Sequence, residues 1–479
     1  MELHVVINGR KDLAAQLYKQ LREAIESGRL AAGMQLPPTR LLTEQLGISR
    51  KTISDVYAQM AYENFLIAKV GKGTYVNARP SKTLRKQKTS ELACAETLNF
   101  WKSLHSPLPD PSLEGTLRCE FVGGATNKSQ FPQNEWRRCV QYGLRQMQRS
   151  LGFYSNIAGI PALRGAIAQH VAFCRGVVCQ DSDVVVCHGA QQALDLISRI
   201  VLTKGSIVAV EDPGYPPARL LFASQGAAVV GVPVDKDGIR VDLIPDQTRL
   251  IYVTPAHQFP LGMPMSLERR RALLNRAREL GAIIIEDDYD SEFRYEGLPT
   301  DSLQSMDEYG IVAFVGTFSK TMLPELRLGY VVVPPVLLEA VIKAKQFTDY
   351  HTSLLPQWAL AKFMADGELQ KHIRRCRAIY AGRRECIRSR LNGDLSPWLE
   401  PIHTTAGFHI AALFKNPIDL KLLIELSRKV EVGLYSIEGY FYQEAPRKGL
   451  LFGFGSIETL DIDPALDRLY DILLQLDPR

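Results

Sequence analysis

The sequence predicts two folds on one chain: an α+β head of three short helices and a β-hairpin, then a larger α/β body on a mostly parallel, doubly wound sheet. Three observations carry this. At 479 residues the chain exceeds one ordinary hydrophobic core. Its charge is divided, since residues 1–90 hold fifteen Lys+Arg against seven Asp+Glu while the remainder holds 42 against 45; the head is the part suited to a polyanion. From Phe121-Val122-Gly123-Gly124 to about residue 335, β-branched apolar runs alternate with helical patterns, as a doubly wound sheet requires. The expected boundaries are 1–79 for the head, 80–118 for a linker and 119–479 for the body, with a large subdomain at about 150–335 and a small one at about 370–479.

Composition narrows the function classes. Charged residues at 23% and hydrophobic ones at 46% suit a soluble globular protein, and no run approaches the roughly 18 apolar residues of a membrane helix. Met1-Glu2-Leu3-His4 places no basic region before an apolar core, so no signal peptide and no membrane partner are expected. Eight cysteines without a C-x-x-C pair or zinc spacing predict reduced thiols and no metal site.

In the head, Leu17, Leu21, Ala24 and Ile25 recur at helical period before Gly28. Leu36-Pro37-Pro38-Thr39-Arg40 opens a second helix that Gly47 closes, and Ser49 caps a third running from Arg50 to about Glu63. That third helix puts Ile53, Val56, Tyr57 and Met60 on one face and Arg50, Lys51, Ser54 and Asp55 on the other. A short helix, a glycine turn and a capped helix with cations in its first turn form a helix-turn-helix, whose second helix enters the major groove of DNA. Phe65–Val70 and Thr74–Val76, joined by Gly71-Lys72-Gly73, add a hairpin wing with Lys72 at its tip. Residues 79–118 are polar and punctuated by proline, with a basic run at 82–88 and a short amphipathic patch at Leu98-Asn99-Phe100-Trp101 suited to dock on one domain; an extended linker is expected.

The body's chemistry gathers at strand ends. Ile311–Val315 leads into Gly316-Thr317-Phe318-Ser319-Lys320, which delivers a lysine to the sheet's carboxyl edge, where ligands bind. Ala282–Ile285 ends in Glu286-Asp287-Asp288-Tyr289, and Val184–Cys187 runs through His188 and Gly189 into Ala190-Gln191-Gln192. Pyridoxal 5′-phosphate (PLP) needs a lysine for its aldehyde, a carboxylate for its ring nitrogen, an anion cup and a flat neighbour. Lys320, Asp287, the turn Gly189-Ala190-Gln191 with Thr317, Ser319 and Arg327, and Tyr215 supply these in turn, and Tyr289 is placed to reach the ring hydroxyl.

With these motifs in order, residues from about 120 onward resemble a fold type I PLP-dependent aminotransferase. Residues 14–78 resemble the winged helix-turn-helix of GntR-type bacterial regulators, with Glu63-Asn64-Phe65 where a glycine is usual; asparagine tolerates the left-handed conformation that turn needs. The combination resembles the MocR/GabR subfamily of transcription regulators. The resemblance implies DNA contacts by Arg40, Ser49, Arg50, Thr52, Lys72 and Gly73. It also implies a head-to-tail homodimer with shared PLP sites, in which Tyr154 reaches the neighbouring subunit's phosphate. Its further implications are a double-stranded operator, an effector that is either PLP itself or a small amine or amino acid, RNA polymerase as a further partner, and a cytoplasmic, nucleoid-associated location in a bacterium.

Two departures bear on activity. Aligned by Gly453-Phe454-Gly455, the C-terminal strand has Leu451 where aminotransferases carry the arginine that forks a substrate α-carboxylate; Arg447 and Lys448 stand just before it. The segment Thr254–Gly262 carries His257-Gln258-Phe259-Pro260 in place of Asn-Pro-x-Gly, which makes His257 or Gln258 the candidate for the ring hydroxyl. The expectation is a sensor without catalytic residues; the alternative is a working aminotransferase with a DNA-binding appendage.

Overall fold

The computed structural model describes residues 5–7, 9, 11–69, 71–77, 95–104, 117–149, 151–297 and 301–477. The chain divides into two compact units, 1–98 and 99–479. The basic run at 82–88, the cysteine at 94 and the prolines at 107, 109 and 111 lie outside the described residues.

In the first unit, helices Leu13–Glu26, Thr39–Leu46 and Arg50–Tyr62 precede strands Leu66–Lys69 and Gly73–Val76. The three helices close on a core of Leu17, Leu21, Leu42, Ile53, Val56, Tyr57 and Met60; all but Leu42 lie on the apolar faces read from the periodicity, whose Ala24 and Ile25 are half-buried. Ser49 Oγ accepts the Thr52 N–H at 3.1 Å, so the third helix begins at a side-chain cap. Gly47 ends the second helix at φ +65° and Asn64 turns the chain at φ +60°, the left-handed conformation expected of it. The wing pairs Leu66 with Val76 through Lys69 with Gly73. Each strand is shifted from the predicted span because Phe65 turns into the core and Gly73 still pairs.

The linker is not wholly extended, as Ala95–Ser103 is a helix with Leu98, Phe100 and Trp101 exposed. Glu96 in its first turn and Lys102 in its last complement the helix dipole, and Leu98 and Trp101 recur at i, i+3.

The second unit is built on an eight-stranded sheet. Its strand order is Val184–Cys187, Gly329–Val332, Val312–Thr317, Ile283–Asp288, Thr248–Val253, Ile207–Asp212, Ala228–Asp235 and Gly238–Ile239. The five strands from Val312–Thr317 to Ala228–Asp235 run parallel, and Gly329–Val332 is antiparallel to both neighbours. The central strands Ile283–Asp288 and Val312–Thr317 are almost continuously buried, which explains their unbroken apolar starts. Helices Pro335–Asp349, Leu354–Ala365 and Glu368–Asn392 lead to a second sheet of Leu399–Pro401, His409–Phe414, Gly449–Gly453 and Tyr435–Ser436. Cys119-Glu120 pairs with Val432-Gly433, so the first residues of the body join the small subdomain's core. Among the described residues no helix is long and apolar enough to cross a membrane.

Candidate functional site

Register aligns the strand ends. Val315 lies beside Asp287, and Gly329 lies beside both Thr317 and Cys187. One edge therefore collects the Lys320 turn, the Asp287 carboxylate and the Gly189 turn.

Lys320 is half-buried, with Nζ donating to the Gly124 carbonyl at 2.6 Å and lying 6.0 Å from the centre of the buried Phe408 ring. Thr317 Oγ1 accepts the Ser319 N–H at 3.1 Å and donates to Ser319 Oγ at 3.0 Å. That small turn bends the chain after the strand and directs Lys320 back across the edge.

Asp287 ends its strand inside the protein. Oδ2 accepts from Tyr252 at 2.7 Å, whereas Oδ1 is buried without a hydrogen-bond partner. Burial pushes the carboxyl up to about 7 against the opposing pull of Tyr252 and Lys320. A buried oxygen left unpaired costs stability unless a ligand meets it, and a protonated ring nitrogen is such a ligand. Asp288 Oδ1 is likewise buried without a hydrogen-bond partner among the described residues, but its Oδ2 pairs with the Arg175 guanidinium at 2.5 Å, which already neutralises that carboxylate and makes it the poorer candidate.

The anion cup forms around Gly189. Its φ of +76° starts the helix Ala190–Val201 without a side-chain cap, which leaves the first N–H groups pointing outward. Arg327, at φ +50°, donates to the His188 carbonyl at 3.0 Å. A Cβ on Gly189 would lie 3.0 Å from the Arg327 guanidinium, so a side chain there would fill the space between cation and helix end. Gln191 reaches sideways to the Pro217 carbonyl at 3.3 Å. Tyr215 caps the next helix, half-buried between the fields of Asp287 and Arg327, its hydroxyl raised to about 12 by burial. These residues fit PLP: a cation and helix end for phosphate, a free carboxylate oxygen for the ring nitrogen, an amine for the aldehyde.

The side that carries Tyr289 and His257 is more elaborate than the sequence suggests. Tyr289 donates to the His257 carbonyl at 2.9 Å. His257 is buried, with Nδ1 on Asp290 and Nε2 on Thr404. Gln258 instead holds the loop together through the Pro213 and Phe259 carbonyls. Tyr154 is exposed and stacks on Tyr350 at 4.8 Å.

Leu451 is buried with Leu261, Ala411, Leu413, Ile437 and Tyr440, and its Cδ2 would be 2.4 Å from a Cβ on Gly123, next to the Lys320-binding Gly124. Lys448 is exposed and donates to the Ile418 carbonyl, and Arg447 is exposed. Neither cation replaces the missing fork within this cluster.

In the head, Arg40, Ser49, Arg50, Lys72 and Gly73 are exposed and Thr52 is half-buried. Arg50 Nε lies 3.4 Å from Thr39 Oγ1, and the Lys72 carbonyl accepts from Gln35 and Tyr75, which fixes the wing tip and leaves the ammonium outward.

Tyr252, Gly124, Asp290, Thr404 and His409 were not found from sequence. Gly124 had a visible signal in the Gly-Gly pair, whereas Tyr252 is one more apolar-strand residue and Thr404 lies 147 residues from His257.

Residues 13–76 match the bacterial regulatory protein gntR family, and residues 124–432 match the aminotransferase class I and II family. The probable rhizopine catabolism regulatory protein MocR of Rhizobium meliloti is 34% identical over 467 residues, covering 96% of this chain and 94% of that protein. The pyridoxine biosynthesis transcriptional regulator PdxR of Corynebacterium glutamicum is 30% identical over 458 residues, covering 95% of each. Among solved structures, Pyrococcus horikoshii kynurenine aminotransferase superposes with a TM-score of 0.69 at 26% identity, covering 80% of this chain and 95% of that one.

Proposed function

We infer that this chain, which belongs to the MocR/GabR subfamily of GntR-type transcription regulators, binds operator DNA through its head and holds PLP on Lys320 to sense a small molecule. The Oδ1 of Asp287 carries the cofactor reading, because that buried oxygen has no hydrogen-bond partner among the described residues and lies at the edge that Lys320 shares. When bound, PLP supplies an aldehyde that exchanges amines and a ring that withdraws electrons. Asp287 would hold the ring nitrogen protonated, Arg327, Ser319, Thr317 and the Gly189-Ala190-Gln191 turn would hold the phosphate, Tyr215 would cover the ring, and Tyr289 would meet its hydroxyl.

Leu451 supports sensing over turnover. A truncated partner of a buried ligand charge pair costs about 2–5 kcal/mol, and this cluster offers a substrate carboxylate only apolar surface. The effector is then either PLP itself, a reading favoured by the name of the pyridoxine biosynthesis regulator, or an amine that does not depend on an arginine fork. Exposed Leu151, Phe153, Tyr154 and Phe347 support a homodimer in which Tyr154 completes the partner's phosphate site. RNA polymerase contact and a cytoplasmic, nucleoid-associated location follow from the regulatory role.

Borohydride reduction of PLP-loaded protein followed by peptide mapping tests the assignment. The label should fall on Lys320 and the visible band should vanish in Lys320→Ala. A label on Lys343 or Lys345 overturns it.

A further inference from the structure

The ring-hydroxyl side contains a buried ionisable pair that cofactor binding alone does not require. Asp290 is fully buried, and its two oxygens lie 2.9 and 3.1 Å from His257 Nδ1. On the other side of the imidazole, Thr404 Oγ1 donates to the Ala406 carbonyl at 2.8 Å, which leaves that oxygen to accept from His257 Nε2 at 3.2 Å. Both ring nitrogens therefore face acceptors, and the imidazole is placed as a donor in two directions.

Tyr289 is gripped by the same residue twice. Its hydroxyl lies 2.9 Å from the His257 carbonyl and 3.1 Å from Nδ1, and the two rings stack at 5.7 Å with 28° between their planes. The imidazole's space is reserved by Gly407, where a Cβ would lie 2.0 Å from Cε1 and where φ is +81°. A buried His–Asp pair is a poor choice for stability alone, since apolar residues of similar volume usually serve as well or better. Its geometry instead controls where one phenol points.

We propose that His257, fixed by Asp290 and Thr404, is a positioning residue that directs the Tyr289 hydroxyl toward the ring hydroxyl of bound PLP and so sets the pH at which the Lys320-bound cofactor changes colour. This rests on the reading that Lys320 holds PLP. The charged groups facing Tyr289 are Asp287, Asp288, Asp290 and Glu211, and those facing the neighbouring His409 are His257 and Lys320. His409, 4.6 Å from His257, donates from Nε2 to the Pro260 carbonyl, and burial keeps it neutral. Of these groups His257 is the one in hydrogen-bond reach of the phenol among the described residues, and Asp290 acts on it through His257.

The test is a pH titration of the visible band in full-length, PLP-loaded protein, comparing wild type, Asp290→Asn, Tyr289→Phe and the double variant. Asp290→Asn should move the midpoint by about one pH unit, and the double variant should move no further than Tyr289→Phe alone. Equal shifts in both backgrounds, or an unmoved midpoint in an Asp290→Asn protein that binds PLP, overturn the positioning role and leave the Lys320 assignment standing. His257→Gln gives the same comparison if Asp290→Asn fails to fold, and melting of the apoprotein identifies that failure. Absence in wild type of any band lost in Lys320→Ala overturns the cofactor reading and this inference together.

Discussion

The two halves of the cleft beside Lys320 are built from opposite chemistry. Toward Asp287 the protein keeps a buried carboxylate oxygen without a partner, and toward Gly189 it keeps a helix end and a guanidinium facing each other. Toward Leu451 it has closed the space with Leu261, Ala411, Leu413, Ile437 and Tyr440. The first half retains groups that weaken the empty protein, whereas the second has been turned into ordinary core. On the proposed reading, a cleft open to a cofactor and packed where a substrate carboxylate would sit suits recognition better than turnover.

Breaking the polar half should have the largest effect. Asp287→Ala removes the partner of the ring nitrogen and should weaken PLP binding by about 2–5 kcal/mol, with a shifted spectrum in whatever cofactor remains. Unchanged affinity by equilibrium dialysis would move the contact to Asp288.

The apolar half should respond in stability rather than in cofactor affinity. Leu451 is 1% exposed, and Leu451→Ala should cost about 2–5 kcal/mol in denaturant unfolding while PLP titration stays near wild type. With wild-type protein, amino donors should give no sustained transfer to a keto acid; multiple turnovers would show that the Leu451 side accepts substrates despite its packing.

The head offers a smaller contrast of the same kind, between a base reader and a charge. Arg50→Ala should cost about 1–3 kcal/mol on the operator and relax one position of each half-site. Lys72→Ala should weaken all sequences alike and lower the salt slope by about one. Footprints at several salt concentrations distinguish the two, and equal loss on specific and random DNA would make Arg50 a backbone contact.

A last contrast is a pH dependence of the polar half. Burial raises Asp287 and Glu211 each to about 7, from ordinary values of 3.8 and 4.5. Because the folded protein holds these protons more tightly than the unfolded chain, their contribution is present below the ordinary range and is lost as pH rises through about 7. Apoprotein melting should therefore decline between about pH 4 and pH 7 and level off above, less so in Asp287→Asn, and bound PLP should reduce the decline by giving Asp287 a cation.

Much of the fold was legible because its signals are local. Helix periodicity named Ile53, Val56, Tyr57 and Met60, all buried, and the cap at Ser49 and the turn at Asn64 follow from the chemistry of single residues. The Lys320 turn, the Asp287 strand end and the Gly189 helix start were readable because each sits where an apolar run stops. The helix Ala95–Ser103 was missed because neighbouring prolines dominated a short pattern.

The sequence by itself determined which side chains reach the sheet's edge, since strand and helix periods are set by the backbone within a few residues. Tertiary structure alone decided their state: Tyr252 on Asp287, Gly124 on Lys320, and Asp290 and Thr404 on His257. Those partners are separated by 33 to 196 residues, and a hydrogen bond between distant strands depends on register and packing, which leave no period in the chain.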